Sequence, residues 1–144
     1  MKGPSVLRVF FDSDVIISGS FSQSGASFLL LQLSELGFIN GIISPQVIEE
    51  SKRNIQKKLP SALALFNNII KMCHLELVSP TNEEIQKAFT FADKKDVPIL
   101  AAALKANADY LTTFNTKDYY PSLAFNISIV KPKEILRAIG NRYS

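Results

Sequence analysis

The chain has 144 residues, 47% of them hydrophobic and 20% charged, a size and composition at which one buried core is the rule. A single domain over residues 1–144 is therefore expected, and disordered or fibrous classes are excluded. Sixteen Lys and Arg against thirteen Asp and Glu leave a net charge of +3, mildly favourable to a polyanionic partner, while the lone Cys73 and lone His74 exclude an internal disulfide and a thiolate zinc site.

Met1-Lys2-Gly3-Pro4-Ser5 runs into apolar Val6 to Phe11 and then Asp12, too short and too soon acidic for a signal peptide. No apolar stretch approaches the roughly 18 to 20 residues of a bilayer crossing, so a cytoplasmic location is expected. Val6 to Phe11 is almost continuously apolar, the pattern of a strand covered on both faces. Similar short runs are Phe38 to Ile43, Leu75 to Val78, Tyr110 to Thr113 and Ile127 to Val130. Helical patterns fall at Ala26 to Leu36, Pro45 to Lys57, Ser61 to Met72, Asn82 to Ala92, Val97 to Ala106 and Pro132 to Ile139. Such alternation predicts an α/β fold, a three-layer sandwich whose central, mostly parallel five-stranded sheet is flanked by helices. Gly37 is a helix stop, Thr81 or Asn82 with Glu84 a helix start, and Pro98 fits a first turn. Ser18 to Ser27 is expected to be a loop. A nucleophile relay would have to run through His74, whose simpler role is a helix-end or strand-start residue.

Ligands of open parallel sheets bind beyond the carboxyl ends of the strands. Asp12 and Asp14 follow the first strand directly, although an Asx turn there is an equal explanation. Asp93 and Asp96 precede the Val97 helix, which puts Asp96 at its N-cap or first turn; a cap is worth about 1 kcal/mol and leaves one oxygen able to turn outward to a metal. Asn115 and Asp118 follow the Tyr110 strand. Glu49 and Glu50 both lie off the core face of their helix, and Glu49 can pair with Arg53 four residues on. Two like charges about 4 Å apart repel by roughly 4 kcal/mol at an effective dielectric near 20, so clustered carboxylates protonate, separate or hold a cation. With oxygen ligands alone, Mg2+ or Mn2+ fits, and such ions activate water for phosphodiester hydrolysis without a histidine.

These residues resemble the PIN domain family, a nuclease fold used by many prokaryotic toxins of toxin-antitoxin pairs. Val9 to Ser18, with Asp12-Ser13-Asp14, is similar to the opening strand and its Asp-Thr-Asn. Ile43-Ser44-Pro45-Gln46-Val47-Ile48-Glu49-Glu50 is similar to the segment whose functional glutamate lies six residues after the serine, which selects Glu50. Asp93-Lys94-Lys95-Asp96-Val97-Pro98-Ile99-Leu100-Ala101-Ala102-Ala103 resembles the motif whose second aspartate is the metal-site residue. In Ala108 to Asp118, Asn115 stands where one branch carries aspartate, and either the later Asp118 or no strong acid completes the set.

The resemblance implies a metal-dependent endoribonuclease acting on single-stranded RNA with Mg2+ or Mn2+. Asp12, Glu50, Asp96 and Asp118 would be catalytic and hold the metal, supported by Ser13, Asp14, Asp93 and Asn115. A homodimer and an inhibitory antitoxin partner are also implied. Lys52, Arg53 and Lys57, with Lys58, would form a phosphate-guiding rim, for which a solvated helix face is the plainer alternative. Two other function classes compete. A haloacid dehalogenase-type phosphohydrolase would use Asp12 as nucleophile and Asp14 as acid/base, but no later Gly-Asp motif is present; a non-catalytic PIN-fold binding module would keep the fold with a decayed site. A phosphate-receiver domain lacks its acceptor aspartate at Leu75 to Pro80.

Overall fold

Val9, Phe10 and Phe11 are consecutive and fully buried. Successive strand residues point to opposite faces, so β1 (Leu7–Phe11) is covered on both sides. In the computed structural model, which describes residues 6–22 and 24–143, β2 (Ile39–Ile43), β3 (Glu76–Leu77), β4 (Tyr110–Thr112) and β5 (Ser128–Val130) join it. All pairings are parallel, and the order is β3-β2-β1-β4-β5. The helices are α1 (Ser13–Phe21), α2 (Ala26–Glu35), α3 (Pro45–Lys58), α4 (Leu63–Met72), α5 (Asn82–Ala88), α6 (Val97–Lys105) and α7 (Pro132–Tyr143). The expected α/β sandwich with a five-stranded sheet flanked by helices is the observed architecture. No described helix is long and apolar enough to cross a membrane. The Met1 to Ser5 segment, on which the absence of a leader was read, lies outside the described residues.

The chain winds outward from β1 to β3 on one side and, after crossing back, from β4 to β5 on the other. The direction reverses between β1 and β4, where diverging connections open a crevice at the strands' carboxyl ends. That crevice is where Asp12 and Asn115 emerge.

Helix ends follow the local chemistry. Thr81 and Glu84 form a reciprocal capping box. Gly37, at φ +83°, lets its own N–H reach Ser34 O at 3.1 Å and that of Phe38 reach Leu33 O at 2.9 Å, closing α2. A Cβ at Gly37 would meet no atom within 4 Å. Gly37→Ala is therefore expected to cost about 1 kcal/mol through the backbone alone, readable as a lowered urea midpoint with an unchanged slope. His74, at φ +53°, ends α4 and is exposed. It lines a pocket with Arg8 and Asn40 at the amino ends of the strands, remote from the crevice. It serves no relay there.

One expectation is overturned. Ser18 to Ser27 is not a loop: Ser18 to Phe21 finishes α1, and Ala26 opens α2. The connection is residues 22–25, of which Gln23 lies outside the described residues. Ser, Gly and β-branched residues give Ser13–Phe21 poor intrinsic helix propensity, and packing overrides it. Gly19 is needed for that packing, since a Cβ would lie 2.6 Å from Leu31 Cδ1. The Asn82 helix is also shorter than expected, because Ala92 leaves it to bridge Tyr119 antiparallel.

Candidate active site

Asp12 is the hinge between β1 and α1. Its Oδ1 accepts from the Ser13 N–H at 2.8 Å and its Oδ2 from the Tyr119 hydroxyl at 2.8 Å, so the carboxylate is fixed at both oxygens while 7% exposed. Burial raises its pKa, and the nearby Glu50 adds to the rise against these hydrogen bonds. The local role is a helix cap, and the same cap stands in the crevice.

Asp14, one residue into α1, ties that helix to the end of β4. Its Oδ2 accepts from Phe114 N–H at 3.0 Å, the Asn115 side-chain amide at 3.3 Å and the Thr113 hydroxyl at 3.4 Å. Its Oδ1 is buried without a hydrogen-bond partner. Desolvation, then the Asp12 charge, pushes its pKa up to about 6.

Asp96 occupies the cap position of α6, but its side chain makes no capping hydrogen bond. The cap role expected for this carboxylate is therefore not performed, and Oδ2 is buried with no hydrogen-bond partner. Burial lifts its pKa to about 6; Lys95 opposes this, and Asp12, Asp118 and Glu50 reinforce it. Carboxylate oxygens of Asp93, Asp96 and Asp118 lie within 4.8 Å of one another, a group able to hold a metal ion. The exposed Lys95 ammonium sits 4.0 Å from both Asp96 Oδ2 and Asp118 Oδ2, where the negative potential is concentrated.

Glu50 reaches the crevice from α3. Gln46 donates to its Oε1 at 3.1 Å and the Ser13 hydroxyl to its Oε2 at 3.3 Å. Glu49 is exposed on the neighbouring face, and no ion pair joins it to Arg53 among the described residues. Asp12, Ser13, Asp14, Glu50, Asp96, Asn115 and Asp118 line one pocket of about 500 Å3, with Arg53, Lys57 and Lys95 at its rim. Lys52 is exposed and does not line it, and Asp93 approaches only through its contact with Asp96 and Asp118. Asn115 and Asp118 both reach the pocket, Asn115 holding Asp14 and Asp118 joining the carboxylate group.

Tyr119, Gln46 and Lys95 were missed from the sequence. Tyr119 is 5% exposed, and burial, then Asp12, drives its phenol pKa far above the usual range, so it remains a donor. A tyrosine beside Asp118 carries no spacing signal; its backbone is held by an antiparallel bridge to Ala92, a contact distant in sequence.

A family model described as PIN domain matches residues 8–117. Among solved structures, the fold is similar to VapBC2 from Rickettsia felis bound to a DNA fragment from their promoter, with TM-score 0.63, 14% identity, and 85% of this chain and 97% of that chain covered. It is also similar to FitAB bound to an IR36 DNA fragment, with TM-score 0.54, 14% identity, and coverages of 86% and 94%. No curated protein matches significantly.

Proposed function

The chain belongs to the PIN domain family, and from that premise we propose that it is a divalent-metal-dependent endoribonuclease cutting single-stranded RNA, acting as the toxin of a toxin-antitoxin pair. The observation that carries this reading is the convergence of Asp12, Glu50, Asp96 and Asp118 on one crevice at the sheet's switch point, with Asp96 Oδ2 buried and without a hydrogen-bond partner. A buried carboxylate oxygen that declines its helix cap fits a hard cation, and the all-oxygen donor set suits Mg2+ or Mn2+. Asp96 and Asp118, joined from the crevice walls by Asp12 and Glu50, would hold it. A bound ion of this kind lowers the pKa of its water and neutralises charge on a phosphoryl oxygen.

The remaining work falls to the chain. Tyr119 and the Ser13 N–H fix Asp12; Gln46 and the Ser13 hydroxyl aim Glu50. Arg53 and Lys57 at the rim draw the phosphodiester backbone toward the carboxylates. Lys95 balances charge beside Asp96 until substrate and cation arrive. Hydrolysis forms a bond from water oxygen to phosphorus and breaks one from phosphorus to the ribose oxygen, to which a proton returns. Family membership displaces the aspartyl-nucleophile alternative. A protein antitoxin, a homodimer and a cytoplasmic location complete the proposal, the antitoxin supported by the likeness to VapBC2 and FitAB.

Adjacent glutamates test the geometry. Helical neighbours lie about 100° apart, so only one can face the crevice. Glu50→Gln is expected to weaken Mn2+ binding and RNA cleavage by at least about tenfold, and Glu49→Gln to leave both unchanged. Titration calorimetry and a cleavage assay on both variants decide it; damage confined to Glu49→Gln would move the site. His74→Ala should cleave at the wild-type rate.

A further inference from the structure

Beside the acidic crevice lies a second pocket, of about 550 Å3, with walls of opposite chemistry. Ile17, Phe21, Leu59 and Phe114 give it an apolar surface, and Phe21, Leu59 and Phe114 remain 41%, 52% and 44% exposed. An apolar and aromatic lining with a few polar groups is the usual composition of a ligand pocket. Ser13, Asp14 and Asn54 line both pockets, so the two adjoin. Phe114 is also anchored, because its N–H donates to Asp14 Oδ2 at 3.0 Å. The ring therefore starts from a backbone locked to the acidic crevice. Lys58 borders the apolar pocket as Lys57 borders the acidic one.

With the divalent cation of the nuclease reading held by the carboxylates, a molecule spanning both puts an anionic, oxygen-rich group on that cation and on Arg53 and Lys57, and a flat apolar group immediately beside it. A phosphodiester with its own unpaired base has that combination, and an aromatic platform accepts any base through its π-face. Resting on the nuclease reading above, we propose that this pocket receives an unpaired nucleobase of the substrate strand adjacent to the bond that is cut, with Phe114 as the stacking surface and Asn54 at the base edge. The apolar side chain of a protein partner would fill the same walls, and the test below separates it from a base.

The test compares wild type, Phe114→Ala and Phe114→Trp for equilibrium binding of a short single-stranded RNA with Ca2+, another hard oxygen-binding cation, in place of Mn2+, and for cleavage with Mn2+. One abasic residue is scanned through the strand in each case. Phe114→Ala is expected to weaken binding about tenfold, with Phe114→Trp restoring it. One abasic position should reproduce that loss in wild type and add nothing in Phe114→Ala. Equal binding by wild type and Phe114→Ala, losses that simply add at every position, or failure of Phe114→Trp to restore binding would overturn the proposal. So would normal RNA binding by Phe114→Ala together with lost association with a co-expressed protein partner. If wild type and Phe114→Ala cut the strand alike, the pocket proposal fails and the nuclease reading stands. If the strand binds with the expected pattern but is never cut, the pocket stands and the nuclease reading fails.

Discussion

Asp96→Asn is expected to reduce RNA cleavage by more than about a hundredfold, beyond the loss typical of groups that only support a metal ligand, while stabilising the metal-free protein near neutral pH. The two effects have one origin. Asp96 is held at a pKa of about 6, against an ordinary value of 3.8, first by burial. A carboxyl whose folded-state pKa is raised contributes stability that is fully present below the unfolded value and is lost as pH rises through the folded one. Metal-free wild type should therefore lose stability between about pH 4 and pH 7, with Asp14, also held at about 6, losing in the same window. Asparagine keeps the volume and removes the charge, so its advantage should be largest near pH 7.5 and vanish by about pH 4. Thermal melts in EDTA across that range measure this directly. Added Mn2+ should reverse the order, stabilising wild type more than the variant.

Asp12→Asn is expected to lose activity as completely as Asp96→Asn, and Tyr119→Phe to lose about 10- to 100-fold in metal affinity and cleavage. Tyr119 acts through Asp12 as a positioning residue. Its hydroxyl holds Oδ2 at 2.8 Å and lowers the Asp12 pKa against desolvation. Removing one oxygen atom leaves the buried ring in place, so the fold should survive. Two readouts separate positioning from mere packing: the acidic limb of the pH–rate profile should move upward in Tyr119→Phe, and adding Tyr119→Phe to Asp12→Asn should cost almost nothing further. An unshifted profile with an additive double variant would leave Tyr119 a packing residue.

Most of the fold was legible because its strands are short, apolar and β-branched, and its helices carry proper punctuation. Gly37 and the Thr81–Glu84 pair stop and start helices as their chemistry dictates. Helix α1 was hidden because Ser18, Gly19 and Ser20 read as a polar turn, whereas the Asp12 cap and the burial of Val15, Ile16 and Gly19 hold the segment as a helix. The carboxylates that line the crevice were visible because the topology delivers strand ends to one place. What one-dimensional spacing cannot carry is which oxygen lacks a partner. Asp96 has the sequence of a cap and the geometry of an unused carboxylate, and Tyr119 has no motif at all. Lys52 illustrates the same limit: it reads as part of one rim with Arg53 and Lys57, whereas those two line the crevice and Lys52 does not.

The most direct measurement incubates purified protein with single-stranded RNA and single-stranded DNA of matched sequence, in Mg2+, in Mn2+ and in EDTA, with Asp96→Asn run alongside. Internal cleavage of RNA is predicted with either ion, none in EDTA, full recovery when excess Mn2+ is restored, and little in any arm of the variant. Cleavage of RNA at an undiminished rate in EDTA, or by Asp96→Asn, would contradict a metal-dependent nuclease built on these carboxylates.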